Sequence, residues 1–362
     1  METCGEEFSR VAIDQDGDLL IRITSRDAHV QSKEFLVYSD AVGEASEKWG
    51  DLVSKAEQGG SAESRYTMLA LEGNCASYEI LFFVMHGKSE YVPQDIYPED
   101  FHDLLEITGE YQATSLLRSW VPAWIKDHQV VPDCVPAIYD SLFLVSNLQR
   151  QFWISWMLGD KQTFRKLIQF CILKTPINDE VSIFEDGTGF LDFPKIPGLL
   201  DYIKKERRGK AQELRGVFEK AIENKDFPHD LDDPSDLDDC ECGHHKLNGQ
   251  YCRLCRSSDE EKFMCHSMIL GSMVHGYRQQ VLPLNNKLRH TVEDVYNRLR
   301  GIQIFSYPET ATCMSRSGHT HDFCNPKDGI HRELDRIFSR VAEVLDPKHE
   351  QHLIRQAKLT GL

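Results

Sequence analysis

No Asn-X-Ser/Thr acceptor occurs in the 362 residues, and no uninterrupted apolar run approaches the length of a membrane span. The greasiest stretch, Ser141 to Leu158, is broken by Asn147, Gln149, Arg150 and Gln151, whereas a span needs about 20 mostly apolar residues. The segment Met1-Glu2-Thr3-Cys4-Gly5-Glu6-Glu7 is acidic and carries no apolar stretch, which reads against a secretory signal peptide. There is no G-x-G-x-x-G dinucleotide fingerprint and no G-x-S-x-G nucleophile elbow. His86-Gly87-Lys88-Ser89 resembles the end of a phosphate loop, but that motif needs a glycine five residues before Gly87, where Phe82 stands. It reads as a helix end and a turn.

Positive charge is scarce. Lys and Arg number 41 against 58 Asp and Glu, for a net charge of −17. A field of that sign repels nucleic acid and anionic lipid, so a nucleic-acid partner would need a local basic patch. The 11 cysteines are an odd count, scattered in the first half and bunched in the second. That excludes a fully paired disulfide frame, fits reduced thiols in nucleus or cytoplasm, and makes the bunch a metal candidate. Hydrophobic residues at 41% and charged residues at 27% are those of an ordinary globular chain with room for two or three domains.

Leu19, Ile21 and Ile23 alternate with less apolar positions, the period of a strand. A second short strand is expected over Ala28 to Gln31, followed by a helix capped by Ser32 and running through Phe35, Leu36 and Ser39. Thr67 to Leu71 reads as a third strand, and Gln58-Gly59-Gly60-Ser61 as a surface loop. Ser77 to His86, the Phe101–Thr108 stretch and Ala113 to Ile125 are expected helices, the last bent at Pro122. Further helices are expected over Ala137 to Leu158, Lys161 to Leu173, Pro197 to Asn224, Glu261 to Val281, Thr291 to Leu299 and Gly329 to Leu345, with loop or hairpin over Val181 to Phe193.

The opening order resembles a BTB/POZ domain. Gly17 to Ile23 looks like its first strand. Val30 to Val42 looks like the second strand and first helix, and Leu69-Ala70-Leu71-Glu72-Gly73 with Tyr78 to Gly87 like the third strand and a helix leading to a glycine. More narrowly, the chain resembles the filamentous-fungal branch of BTB proteins, in which a helical region with a Gly-Asp step, here Met157-Leu158-Gly159-Asp160, and a Cys/His segment follow. Only 17 residues precede Asp18, so little room is expected for the extra N-terminal strand and helix that swap in many BTB dimers. The resemblance implies protein partners bound through the BTB domain, an open possibility of a homodimer, and use as a substrate adaptor for a cullin-type ubiquitin ligase or as a transcription-associated scaffold.

The sharpest chemical signal is Cys240-Glu241-Cys242 and Cys252-Arg253-Leu254-Cys255, with His244 and His245 between the pairs and Asn248-Gly249 as the turn. Two close cysteine pairs can present four soft ligands to tetrahedral zinc. Cys265, and later Cys313, His319, His321 and Cys324, could complete that site or form a second. The alternative is reduced cysteines without metal. A catalytic zinc is not expected, because no glutamate is placed as a general base. His349-Glu350-Gln351-His352 is one residue short of the metalloprotease helix motif and reads as a solvated helix face. Lys204-Lys205-Glu206-Arg207-Arg208-Gly209-Lys210 is the one dense basic cluster: a solvated face paired with Glu213, or an import signal. Trp120/Trp124 and Trp153/Trp156 fall at helical spacing and are expected in the core, with a partner groove as the alternative.

The fold class expected is therefore α+β: a small three-stranded sheet with stacked helices, then a mainly helical region with a zinc-stapled segment. The divisions are an N-terminal tail (1–17), a BTB/POZ domain (18–130), a helical region (131–225), an acidic linker (226–239), a Cys/His-containing helical region (240–345) and a C-terminal tail (346–362). The function expected is non-enzymatic, a protein-interaction adaptor or scaffold with no membrane partner. The alternative is a zinc-dependent nucleic-acid-binding transcriptional regulator, which the net charge disfavours.

Overall fold

The computed structural model describes residues 8–25, 31–59, 65–128, 141–177, 193, 195–223, 259–281, 290–306, 325–341 and 345–362. In chain order the elements are β1 (Ser9–Ala12), β2 (Leu19–Ser25), β3 (Lys33–Val37), α1 (Ser39–Gly43), α2 (Glu47–Gly59), β4 (Thr67–Gly73), α3 (Cys75–Met85) and α4 (Pro98–Glu110). A 3₁₀ turn (Thr114–Ser119) leads to α5 (Val121–His128), α6 (Ser141–Leu158), α7 (Lys161–Lys174) and α8 (Leu199–Glu223). The remainder is α9 (Asp259–Gln280), α10 (Val292–Arg300), α11 (Lys327–Ser339) and α12 (Pro347–Thr360). Two compact units emerge. One comprises Met1–Leu167, Asp192–Pro197 and Val344–Leu362; the other comprises Ile168–Leu191 and Gly198–Glu343.

The first unit is built on a four-stranded mixed sheet of order β1-β3-β2-β4, not the three strands expected. β2 runs antiparallel to β3 and parallel to β4, while β1 runs parallel to β3. The fourth strand is β1, inside the stretch expected to be a tail. Its apolar pattern is too short to announce it, and side-chain chemistry holds it instead. Arg10 Nη2 donates to Glu34 Oε2 at 3.0 Å, and Arg22 Nη2 donates to Glu34 Oε1 at 2.6 Å. The Phe8 ring lies 4.3 Å beneath the Arg22 guanidinium. Burial alone would raise the Glu34 carboxyl, but the two arginines outweigh it and hold it below its ordinary value.

The helix expected from Ser32 is also corrected: Lys33–Val37 is β3. Phe35, Leu36 and Val37 are all buried, as in a strand covered on both faces, and pairing with Leu19–Ile23 overrides the local cap signal. Ser32 Oγ instead accepts from Ser25 N. Of the second strand expected over Ala28 to Gln31, residues 28–30 lie outside the described residues. The turn into α1 is fixed by Asp18, which accepts from Ser39 N at 2.8 Å and from Ser39 Oγ at 2.7 Å.

Leu19, Ile21, Phe35 and Val37 form the inner sheet face. Phe82 of α3 meets Phe35 at 5.3 Å and Trp49 of α2 at 6.2 Å, centre to centre. Asn74 caps α3, its side-chain oxygen accepting from Ala76 N and Ser77 N. Ala113 to Ile125 is not one bent helix. It is a 3₁₀ turn followed by α5, with Pro122 in the first turn of α5, where its missing N–H loses no helical bond.

The Gly-Asp step closes one helix and opens the next. Gly159, at φ +77°, ends α6, and Asp160 N bonds Ser155 O at 2.9 Å. Asp160 then caps α7, its carboxylate accepting from Thr163 N at 3.0 Å. The stretch expected to be a C-terminal tail is α12, a regular helix whose backbone lies directly on Gly159. A Cβ there would stand 2.2 Å from Ala357 N and 2.4 Å from Leu353 O.

In the second unit α8 packs against α9, α10 and α11. Ile203, Arg207, Ala211, Leu214 and Phe218 form its buried stripe at helical spacing. α10 opens with a capping box in which Thr291 and Asp294 satisfy each other's backbone donors. Among the described residues no helix is long and apolar enough to cross a membrane.

Candidate functional site

Of the nine residues proposed from sequence as metal ligands, Cys240, Cys242, Cys252, Cys255, Cys313, His319, His321 and Cys324 lie outside the described residues, as do His244 and His245. Cys265 is described. It sits on α9, fully buried with a free thiol, on the face that also carries Ile269 and Met273. The acidic stretch 226–239 is likewise outside the described residues.

The basic cluster lies on α8, and it is not wholly a solvated face. Arg207 is fully buried and donates to Thr175 Oγ1 at 2.6 Å. Lys210 pairs with Glu213, as expected. Burial lowers the Arg207 guanidinium to about 10 and raises the neighbouring Cys171 thiol to about 12. Burial also raises the Cys75 thiol. The thiolate is the nucleophile, so Cys75 and Cys171 are poorly suited to covalent chemistry.

The one cluster of three potential metal-ligating side chains among the described residues is His102, Asp103 and Glu106 on α4, with donor atoms within 4.8 Å of one another. Protein groups already engage it. Asn74 Nδ2 donates to Asp103 Oδ2 at 2.9 Å and to Asp100 Oδ1 at 3.0 Å, and Lys195 pairs with Glu106. Burial would raise the Asp103 carboxyl, but hydrogen bonds from His102 and Asn74 prevail and lower it. The cluster acts as a brace between the α3 cap and α4.

A cleft of about 620 Å³ in the first unit, between the end of α4, the 3₁₀ turn, α6 and α12, combines aromatic and charged groups. Trp153, Trp156 and Met157 line it from α6, Glu106 and Glu110 from α4, and His352 from α12. Close backbone approach shapes it: a Cβ on Gly109 would meet Met157 Cε at 2.6 Å. The His352 ring stacks on Trp156 at 3.6 Å with an interplanar angle of 6°. Burial pushes the His352 imidazole down to about 4, with Arg355 and His349 adding to the drop and a Trp156 backbone hydrogen bond opposing it. The ring is therefore neutral at pH 7. Lys195 reaches across the cleft to pair with Glu106, its ammonium 5.4 Å from the Trp153 ring centre.

His349-Glu350-Gln351-His352 is thus not the solvated helix face expected. His349 is buried, with Nε2 donating to Pro197 O at 2.9 Å, and Glu350 pairs with Lys161. Trp124 and Trp156 are core residues, as expected, and Trp124 Nε1 donates to Pro93 O at 2.9 Å; Trp153 is half-buried, and both Trp153 and Trp156 show a face to the cleft. The sequence did not point to Glu106, Glu110, Lys195 or His352 as cleft residues. One signal was available: His349, Leu353, Gln356 and Thr360 recur at helical spacing, a stripe easily passed over because three of its four members are polar. Such an arrangement of aromatic floor, neutral imidazole and acidic rim offers contact and charge, not a nucleophile with an adjacent base. No protein-family model, no curated protein and no solved structure matches the chain.

Proposed function

We propose that this chain is a non-enzymatic protein-interaction adaptor or scaffold, built on a BTB-type module and serving a cullin-type ubiquitin ligase or a transcription-associated assembly. One observation carries the reading. The order β2, β3, α1, β4, α3, with α2 added between α1 and β4 and with Gly87 in the left-handed region two residues beyond the end of α3, agrees with the order the BTB resemblance implies. The cleft walled by α4, α6 and α12 adds a second surface on the same unit. The mechanism is effective concentration, with two surfaces on one chain holding two partners together. In this reading a structural zinc on Cys240, Cys242, Cys252 and Cys255 staples the Cys/His segment, with Cys265, Cys313, His319, His321 and Cys324 as ligands of a second site or as alternates at the first.

Affinity purification of the tagged full chain tests the adaptor role. The expected result is enrichment of a cullin scaffold or a transcription regulator; recovery of neither opposes the proposal. Metal analysis of the purified chain, with Cys252→Ser and Cys255→Ser, tests the staple. Bound zinc and a lower melting temperature in the variants support it, and metal-free protein with an unchanged melting curve ends it.

A further inference from the structure

The cleft already holds a cation, and that cation belongs to the chain itself. Lys195 places its ammonium 5.4 Å from the centre of the Trp153 ring and pairs with Glu106. Its side chain remains 53% exposed, so it rests on the cleft and is not locked in a core. A second carboxylate, Glu110, lies one helical turn further along α4 and has no ion-pair partner among the described residues. Glu106 and Glu110 also line an adjoining cavity of about 310 Å³, whose wall includes Glu72 and Asp103. Two hollows thus share Glu106 and Glu110 on their walls, and the larger has an aromatic floor. His352 is the other titratable group on that floor, and being neutral it adds no positive charge.

We propose that this cleft seats a lysine- or arginine-rich segment of a partner protein, one cation taking the Trp153–Glu106 position where Lys195 now sits and the next lying at Glu110. The complementarity is of charge and shape together. An aromatic face beside a carboxylate favours an ammonium or guanidinium over any neutral side chain. The i,i+4 spacing of the two glutamates, about 6 Å, suits cations on alternate positions of an extended segment, which share one face about 6.6 Å apart. Lys195 acts as an internal occupant that a partner displaces. This inference rests on the adaptor reading and names its partner's chemistry.

The test is fluorescence anisotropy of a labelled hexalysine peptide titrated with the full chain at near-physiological salt, where the general field of the protein is screened. Glu106→Gln/Glu110→Gln is expected to weaken binding about tenfold, on the scale of two lost cation contacts. Asp201→Asn/Glu223→Gln removes the same charge from residues that do not line the cleft, and is expected to change affinity less than about twofold. Lys195→Ser is expected to strengthen binding at least about threefold, because it vacates the Trp153–Glu106 position. Equal weakening by both charge pairs would reduce the interaction to the net charge of the chain and overturn the proposal. So would Lys195→Ser binding no better than wild type, a variant whose exposed position spares the fold. If the peptide fails but a cullin or transcription regulator is still recovered, the basic-segment inference falls and the adaptor reading stands. If the peptide binds in this pattern but neither partner is recovered, the adaptor reading falls alone.

Discussion

Gly159→Ala attacks the first unit at the point where α12 meets the α6–α7 corner. Two costs add. An alanine at φ +77° is strained by about 1–2 kcal/mol, since its Cβ crowds the following carbonyl. Its Cβ would also stand 2.2 Å from Ala357 N and 2.4 Å from Leu353 O, both backbone atoms of a regular helix. Backbone cannot swing aside as a side chain can, so α12 must shift, at a further cost of about 1–3 kcal/mol for overpacking. The sum is about 2–5 kcal/mol. A matched control separates the parts: Gly87 has φ +67° and nothing within 4 Å of its would-be Cβ. Gly87→Ala should therefore cost only the conformational share. Urea denaturation of both variants, with hydrogen exchange read along α12, makes the comparison. Exchange in α12 should rise in Gly159→Ala, as the Thr360–Leu158 hydrogen bond and the His352–Trp156 stack loosen. If Gly159→Ala costs no more than Gly87→Ala and α12 stays protected, the close approach is not what holds the helix.

Glu34 makes β1 sensitive to acid. Its folded carboxyl lies below the ordinary value of 4.5, so its contribution is full above that value and is lost as pH falls through the folded value. Exchange protection of Ser9–Ala12 should drop below about pH 4.5, and Glu34→Gln should remove that dependence at a cost of about 1–2 kcal/mol. His352 has a folded value of about 4 against an ordinary 6.5, so the unfolded chain binds the extra proton between those limits and stability falls as pH drops from 6.5 to 4. His352→Gln should flatten that part of the pH profile of the urea midpoint; an unchanged slope would contradict a buried neutral ring. Asp18→Ala removes both acceptors at the head of α1 and should cost about 1–3 kcal/mol by the same measurement.

The sequence revealed the parts of the fold that depend on local pattern. β2 and β4 appear as period-two alternation, and α3, α4, α7, α8 and α10 as helical stripes with recognisable ends. What it concealed depends on distant partners. β1 is held by Glu34, 24 residues from Arg10, and nothing in four residues of Ser-Arg-Val-Ala announces that pairing. β3 carries a helix-like cap at Ser32, yet register with β2 decides its conformation. α2 was missed because its buried face is only Trp49 and Val53, with Gly50 between them weakening the helical signal. α12 packs through His349 and Thr360, whose polarity suggested solvent until their carbonyl partners were seen. The cleft was not visible: the Trp153/Trp156 spacing reads first as core packing, and Glu106 and Lys195, 89 residues apart, meet only in the folded chain.

The most direct measurement is cross-linking mass spectrometry on the affinity-purified complex of the full chain, read at the lysines that distinguish its two units. Cross-links to the partner are expected at Lys33, Lys48, Lys88 and Lys195 in the first unit. A partner cross-linked only through Lys204, Lys205 and Lys220 of α8, with the first unit silent, would contradict the claim that the sheet-and-helix module is the docking platform.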